Sequence, residues 1–246
     1  MSLKRKHRGV HVIVDGIDGS GKGTLILALE KWAKKHGLKI FNVVDYEKTH
    51  HTIPEFRQIK SFDVIVCAEP THSLIGRAIR EELVNKHRKD YTPEALAHAY
   101  ALDRFVLYSR IHVPALRAGK YIFQERGVTS SIAYQPIHAR GLTIKDIMDI
   151  DGNKFALQHR PDMLCILKIN PSVALHRLHV RRKKDQAVFE NRVFLSRVQK
   201  RFLSPWFRQL FEKRGSRVEV LDTRGSLADT TNRMIEMWER FIASKR

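Results

Sequence analysis

The chain reads as an α/β protein with a five-stranded parallel sheet flanked by helices. Two patterns predict this. Short, wholly apolar runs alternate with longer amphipathic ones, as in successive βα units. A glycine-rich turn joins the first apolar run to the first amphipathic one. A length of 246 residues suits one such domain, or a domain with a small mobile lid. No internal repeat or low-complexity linker divides it, so the expected organisation is a basic arm over residues 1–8 and one domain over residues 9–246.

The elements follow in order. His11 to Asp15 is the first strand, and a helix runs from the glycine-rich turn to about Lys35, ending near Gly37. Leu38–Tyr46 and Asp63–Ala68 read as strands. The polar, His-rich stretch Glu47–Phe62 between them is broken by Pro54 and reads as an exposed excursion. Helices are expected at about Ser73–Lys86 and Pro93–Arg117, with Pro93 suited to a first helical turn. Lys120–Glu125 is a strand, and Thr129–His138 and Thr143–His159 are helical. Met163–Ile169 is another buried strand. Two helices joined by a basic segment fill Pro171–Arg214. Arg217–Leu221 is a last strand and Leu227–Ser244 a last helix.

Hydrophobic residues make up 43%, which is compatible with a sizeable core. No apolar run approaches the roughly 20 residues of a membrane span, and the N-terminus lacks an apolar signal segment. A cytoplasmic location is therefore expected. Cys67 and Cys165 each lie in an apolar run and read as buried strand thiols of a reducing compartment. The 13 histidines show no metal-ligand spacing and read mostly as surface residues. The net charge of +19 leaves three explanations open: nucleic acid, nucleotide phosphates, or a solvated basic surface. The Lys4-Arg5-Lys6-His7-Arg8 run reads most simply as a flexible arm.

Gly16-Ile17-Asp18-Gly19-Ser20-Gly21-Lys22 follows an apolar strand and opens a helix, the context a phosphate-binding P-loop requires. Its glycines let backbone N–H groups curl round a polyphosphate, and the helix N-terminus adds partial positive charge. Lys22, expected to stand exposed in the loop, supplies a full charge to the β- and γ-oxygens of ATP. Gly16, Gly19, Ser20, Gly21, Lys22, Gly23 and Thr24 are the expected ATP-binding residues here. Gly23 stands where Ser or Thr usually ligates Mg²⁺, and a hydroxyl arrives one residue later at Thr24. Mg²⁺ is still expected on the ATP.

A second phosphate would need further cations. Arg104 and Tyr100 are i+4 and i on one helix and share a face. Arg126 follows the strand ending at Glu125, at the carboxyl edge where α/β sheets bind ligands. Spacing alone leaves a helix-surface pair for Asp103-Arg104 and core packing for Tyr100 equally open.

From His11 to about Trp238 the chain resembles the thymidylate kinases. Several features carry the match in family order. Asp15 to Lys22 looks like the family's P-loop. Glu69-Pro70-Thr71 and Ile79-Arg80 look like its Arg-Glu-Pro segment and the helix after it. Leu102-Asp103-Arg104, Glu125-Arg126, Ser130 to Gln135 and Arg140-Gly141-Leu142 follow. Arg160-Pro161-Asp162 and Asn170-Pro171 flank the later strand. The resemblance implies a P-loop kinase moving a phosphoryl group from ATP to a deoxynucleoside monophosphate, most simply dTMP to dTDP. It implies that Asp18 holds the sugar 3′-hydroxyl and lies near the metal, through water. Arg104 and Arg126 would clamp the acceptor phosphate, with Ser130 nearby. Tyr100 would stack on the base, Ser131 read its edge and Tyr134 pack on the deoxyribose. Glu125 would serve the chemistry and the metal. Arg224, in the Asp222–Ala228 loop, would line the adenine. The basic run before Asp185, about 180–190, would be a lid supplying a catalytic arginine, Arg181 or Arg182. A homodimer is implied too, and no nucleic acid or membrane partner is required.

The chain departs from the family in four places. Ala68 replaces the arginine of Arg-Glu-Pro, Glu125 the aspartate of an Asp-Arg pair, and Gly127 the aromatic after it. Residues 47–62 are additional. Glu125-Arg126 is also how deoxynucleoside kinases write this position, so a neutral 5′-hydroxyl acceptor, which needs a general base, is the nearest alternative. A P-loop domain that binds nucleic acid without turnover is a third reading.

Overall fold

A computed structural model of the chain describes residues 8–84, 91–138, 142–180 and 192–245. The arm through His7, the Arg140-Gly141 pair and most of the expected lid, with Arg181 and Arg182, lie outside the described residues.

The sheet is wholly parallel, in the order β2-β3-β4-β1-β5-β6. Its strands are β1 (Val10–Gly16), β2 (Ile40–Asn42), β3 (Val64–Ala68), β4 (Tyr121–Glu125), β5 (Met163–Lys168) and β6 (Arg217–Asp222). Six strands therefore replace the five expected, because β6 pairs with β5 from Met163↔Arg217 to Lys168↔Asp222. The period-2 alternation of β1 divides the core. Val10, Val12 and Val14 face α1 (Lys22–Lys35) and α13 (Leu227–Ala243), where Trp32 and Trp238 pack edge to face. Ile13 and Ile17 belong to the opposite layer, packed with residues such as Ile132, Phe202 and Phe207.

The segment before β3 differs from the sequence reading. Asn42 accepts a hydrogen bond from the Asp45 amide and starts α2 (Val43–His50), so the strand stops after three residues. A short α3 (Phe56–Ile59) follows. Most of the 47–62 stretch is exposed, as expected, but it is anchored at a few positions. Glu47, Ile53 and Ile59 are buried, and Glu47 accepts the His72 amide at 2.8 Å. α4 (Leu74–Ala78) continues into a π-helical turn at Ile79–Leu83.

α5 (Pro93–Leu107) is capped by Thr92, whose side chain accepts the Ala95 amide, with Pro93 in the first turn. It runs through a π-helical turn at Tyr108–His112 into α6 (Val113–Arg117). After α7 (Val128–His138), the expected single helix is two, α8 (Ile144–Asp149) and α9 (Asp151–Gln158), broken at the extended Ile150. At Gly152 an added Cβ would lie 1.9 Å from the Ala101 carbonyl, so only glycine admits this approach of α9 to α5. Three helices, α10 (Pro171–Val180), α11 (Arg192–Phe202) and α12 (Pro205–Glu212), stand where two were expected.

Candidate active site

The residues singled out by sequence gather at the carboxyl edge of the sheet, where the P-loop leaves β1. β4 and β3 lie on one side of β1, carrying Arg126 and the Glu69-Pro70-Thr71 turn. β5 and β6 lie on the other, carrying the Thr223–Gly225 loop. The edge thus has two flanks with the P-loop between them.

Backbone geometry explains two of the P-loop glycines. Gly19 has φ +77° and its missing Cβ would fall 2.3 Å from the Ala174 carbonyl oxygen. Gly21, at φ +98°, is the left-handed residue that precedes α1. The Ser20 hydroxyl is buried without a hydrogen-bond partner among the described residues, as suits a group shaped for a phosphate oxygen. Lys22 is buried at 5% exposure, contrary to the expectation of an exposed lysine. Its Nζ donates to the carbonyls of Gly16 at 3.2 Å and Ile17 at 3.0 Å and lies 3.8 Å from Asp18. Burial, then the neighbouring Arg126 charge, lower its pKa. Gly23 has a spatial explanation, since a Cβ there would sit 3.0 Å from a Glu125 carboxylate oxygen. Glu125 therefore reaches toward the start of α1, beside the place a P-loop Ser or Thr would occupy.

A cavity of about 250 Å³ opens beside the loop, lined by Ser20, Gly21, Thr24, Thr223 and Gly225. Arg177 on α10 also lines it and donates to the Thr223 carbonyl at 3.1 Å. Sequence reasoning missed Arg177. Its only signal was a cation one helical turn beyond Asn170-Pro171-x-x-Ala174. Arg224 is 70% exposed at its side chain, ion-pairs with Asp222 at 2.8 Å and does not line the cavity.

On the other flank Asp18 accepts hydrogen bonds from Arg126 and, at 3.3 Å, from the Tyr134 hydroxyl. Burial works to raise the Asp18 pKa, but Arg126 and Lys22 outweigh it and hold the carboxyl below its ordinary value. Arg126 carries a left-handed φ of 62°, unusual for a non-glycine residue. This lets the chain turn sharply off β4, with the guanidinium stacked 5.8 Å over the Tyr134 ring and 3.4 Å from the Ser130 hydroxyl. Ser130 donates to the buried Asp15 beneath the loop.

Arg104 is placed differently from Arg126. It is 1% exposed and bonds to Glu69 through both Nε and one terminal nitrogen at 2.7 Å. Its remaining donors go to Asn153 and, at 3.1 Å, to Ser131. It therefore bonds to the expected base-reading Ser131, while Arg126 bonds to Asp18. Arg80, which the sequence reading did not make a site residue, donates to the Pro70 and Thr71 carbonyls. Burial, then Arg126, lower its pKa, while the nearby Tyr100 and Glu125 oppose them. Burial raises the Tyr100 pKa, opposed by the nearby Arg126 and Arg80 charges.

A sequence model of the thymidylate kinase family matches residues 48–234. A thymidylate kinase of Caldicellulosiruptor saccharolyticus is 31% identical over 185 residues, covering 75% of this chain and 76% of that protein. The chain belongs to the thymidylate kinase family. A probable thymidylate kinase of Thermococcus gammatolerans is 28% identical over 243 residues, 96% of this chain and 99% of that protein. A thymidylate kinase of Geobacillus thermodenitrificans is 29% identical over 238 residues, 94% and 91%. The family match begins after the P-loop, whereas these longer alignments leave too few residues over to exclude it. Membership makes the chain a nucleoside monophosphate kinase with a nucleotide monophosphate substrate. Among the described residues no helix is long and apolar enough to cross a membrane.

Proposed function

We propose that the chain transfers the γ-phosphoryl group of ATP to dTMP, giving ADP and dTDP, with ATP on the β5–β6 flank and dTMP on the β3–β4 flank. The observation that carries this is the convergence of Lys22 and Arg126 on one carboxylate, Asp18, between the two flanks. Lys22 exchanges its loop carbonyls for the β- and γ-oxygens, and the α1 N-terminus adds partial charge. Arg126 neutralises the acceptor phosphate, with Asp18 fixing its fork and taking the sugar 3′-hydroxyl. Tyr134 packs against the deoxyribose. Tyr100 stacks on the base, and Ser131 reads its edge, with Arg104 bonded beside it. Arg177 and Thr223 line the adenine side in place of Arg224. Glu125 and Asp18 fit a magnesium ion carried on ATP, since such an ion takes one or two protein carboxylates and keeps phosphate and water oxygens. When bound it would supply charge neutralisation on the bridging phosphates. Arg181 or Arg182 remains the proposed lid arginine. A homodimer through α5, covering the exposed Leu102 and Phe105, accompanies this reading.

A panel of dTMP, dUMP, dCMP, UMP, AMP and thymidine with ATP, scored for ADP release, tests the proposal. The largest kcat/KM is expected for dTMP. A preference for thymidine would move the chain to the nucleoside kinases, and DNA or RNA affinity without turnover would leave only the P-loop.

A further inference from the structure

Glu69 and Arg104 stand at the outer end of a polar chain that continues into the core. The Gln124 Nε2 donates to Glu69 Oε1 at 2.8 Å. The Gln124 Oε1 meets two ring nitrogens, Nε2 of His11 at 2.8 Å and Nε2 of His112 at 2.5 Å. All three side chains are 0% exposed. They lie on β1, on β4 and on the π-helical turn after α5, so three elements meet at one amide. His112 stacks flat on Tyr108 at 4.2 Å and sits edge-on to His11 at 5.0 Å, which fixes both rings.

Burial holds both histidines neutral, with pKa values lowered to about 3. Each ring is also held from the main chain, His11 by the backbone of His159 and His112 by that of Leu107. Gln124 is thus gripped by two fixed imidazoles at one end of its amide and by Glu69 at the other. Glu69 then presents its other oxygen to Arg104, and Arg104 reaches Ser131.

We propose that Gln124, locked by His11 and His112, is a positioning residue of the acceptor pocket, setting Glu69 and through it the Arg104 guanidinium beside Ser131. Gln124 touches no substrate; it limits the freedom of groups that do. The proposal rests on reading the β3–β4 flank as the acceptor site. It predicts a defect confined to the acceptor, since the ATP flank shares none of these groups.

The experiment compares wild type with Gln124→Met, which keeps length and volume but removes both hydrogen-bonding ends. Acceptor KM, ATP KM, kcat and Tm are measured with whichever monophosphate the wild type uses best. The expected result is an acceptor KM raised on the order of tenfold with ATP KM unchanged, because small displacements of binding groups cost this much or more. A folded variant whose acceptor KM is unchanged, or whose two KM values rise together, overturns the proposal, whatever happens to Tm. If Gln124→Met does not fold, His112→Phe decides. It keeps the stack on Tyr108, removes one of the two anchoring bonds, and should raise acceptor KM alone by roughly two- to threefold. No change there overturns the proposal. A wild type that prefers another monophosphate to dTMP alters the substrate assignment but not this test. A wild type that uses no monophosphate overturns both.

Discussion

At the scale of single residues, Lys22 and Arg126 share Asp18, so each substitution has a local consequence as well as a catalytic one. Lys22→Ala removes a buried ammonium whose desolvation is only partly offset by two carbonyls and a 3.8 Å carboxylate. Tm is therefore expected to stay within a few degrees of wild type, while kcat falls by on the order of 10²–10³ or more. Near-wild-type kcat, read beside the melting curve, would exclude the loop as the phosphate site. Arg126→Ala withdraws the proposed acceptor cation and the partner of Asp18. A desolvated arginine–phosphate contact is worth about 2–5 kcal/mol, so acceptor kcat/KM should drop at least thirtyfold with little change in ATP KM. Equal loss on both substrates would make Arg126 a structural residue of the loop. Arg177→Ala is the converse case. It should raise ATP KM several-fold and leave the acceptor KM alone, since Arg177 bonds to the Thr223 carbonyl on the flank proposed for adenine.

At the scale of elements, α2 is fastened to the site by one buried acid. Glu47 accepts the His72 amide, and its second oxygen is buried without a partner among the described residues. Burial raises its pKa from the usual 4.5 to about 7. The sign follows from proton binding. Between about pH 4.5 and 7 the folded chain holds a proton at Glu47 that the unfolded chain has lost, so stability falls as pH rises through that window and levels off above it. Glu47→Gln keeps the amide bond and cannot titrate. Its Tm minus that of wild type should grow from near zero at pH 4.5 to several degrees at pH 7.5, corresponding to roughly 2–3 kcal/mol at most. A difference that does not vary with pH would mean Glu47 titrates normally when folded.

At the scale of the whole molecule, the parallel sheet puts the P-loop, Arg126 and the Thr223–Gly225 loop on one edge, with the P-loop strand between the flank proposed for the acceptor and the flank proposed for adenine. The net charge of +19 opposes close association of two copies. The exposed Leu102 and Phe105 on α5 favour it. Light scattering at about 0.15 M salt should give a dimer mass, falling toward that of a monomer for Leu102→Glu. A monomer at all concentrations would remove the proposed interface.

The P-loop, the alternation of strands and helices, the buried cysteines and the positions of Asp18 and Arg126 were all legible in the sequence. Each is a local signal, and the physics behind it acts within a few residues: glycine torsions, the period of apolar side chains, a cation placed at a strand end. Sequence resemblance gathered them into a family. What it did not contain was decided by contacts between distant segments. Lys22 reads as an exposed lysine until Gly16 and Ile17 fold their carbonyls over it. Arg104 and Arg126 read alike until Glu69, Asn153 and Ser131 surround the first and Asp18 the second. Leu38–Tyr46 reads as one strand until Asn42 caps a helix inside it. His11, Gln124 and His112 are scattered polar residues in sequence. Only the meeting of β1, β4 and the turn after α5 makes them one buried junction, because the free energy of a buried polar group depends on which partners the tertiary fold brings to it.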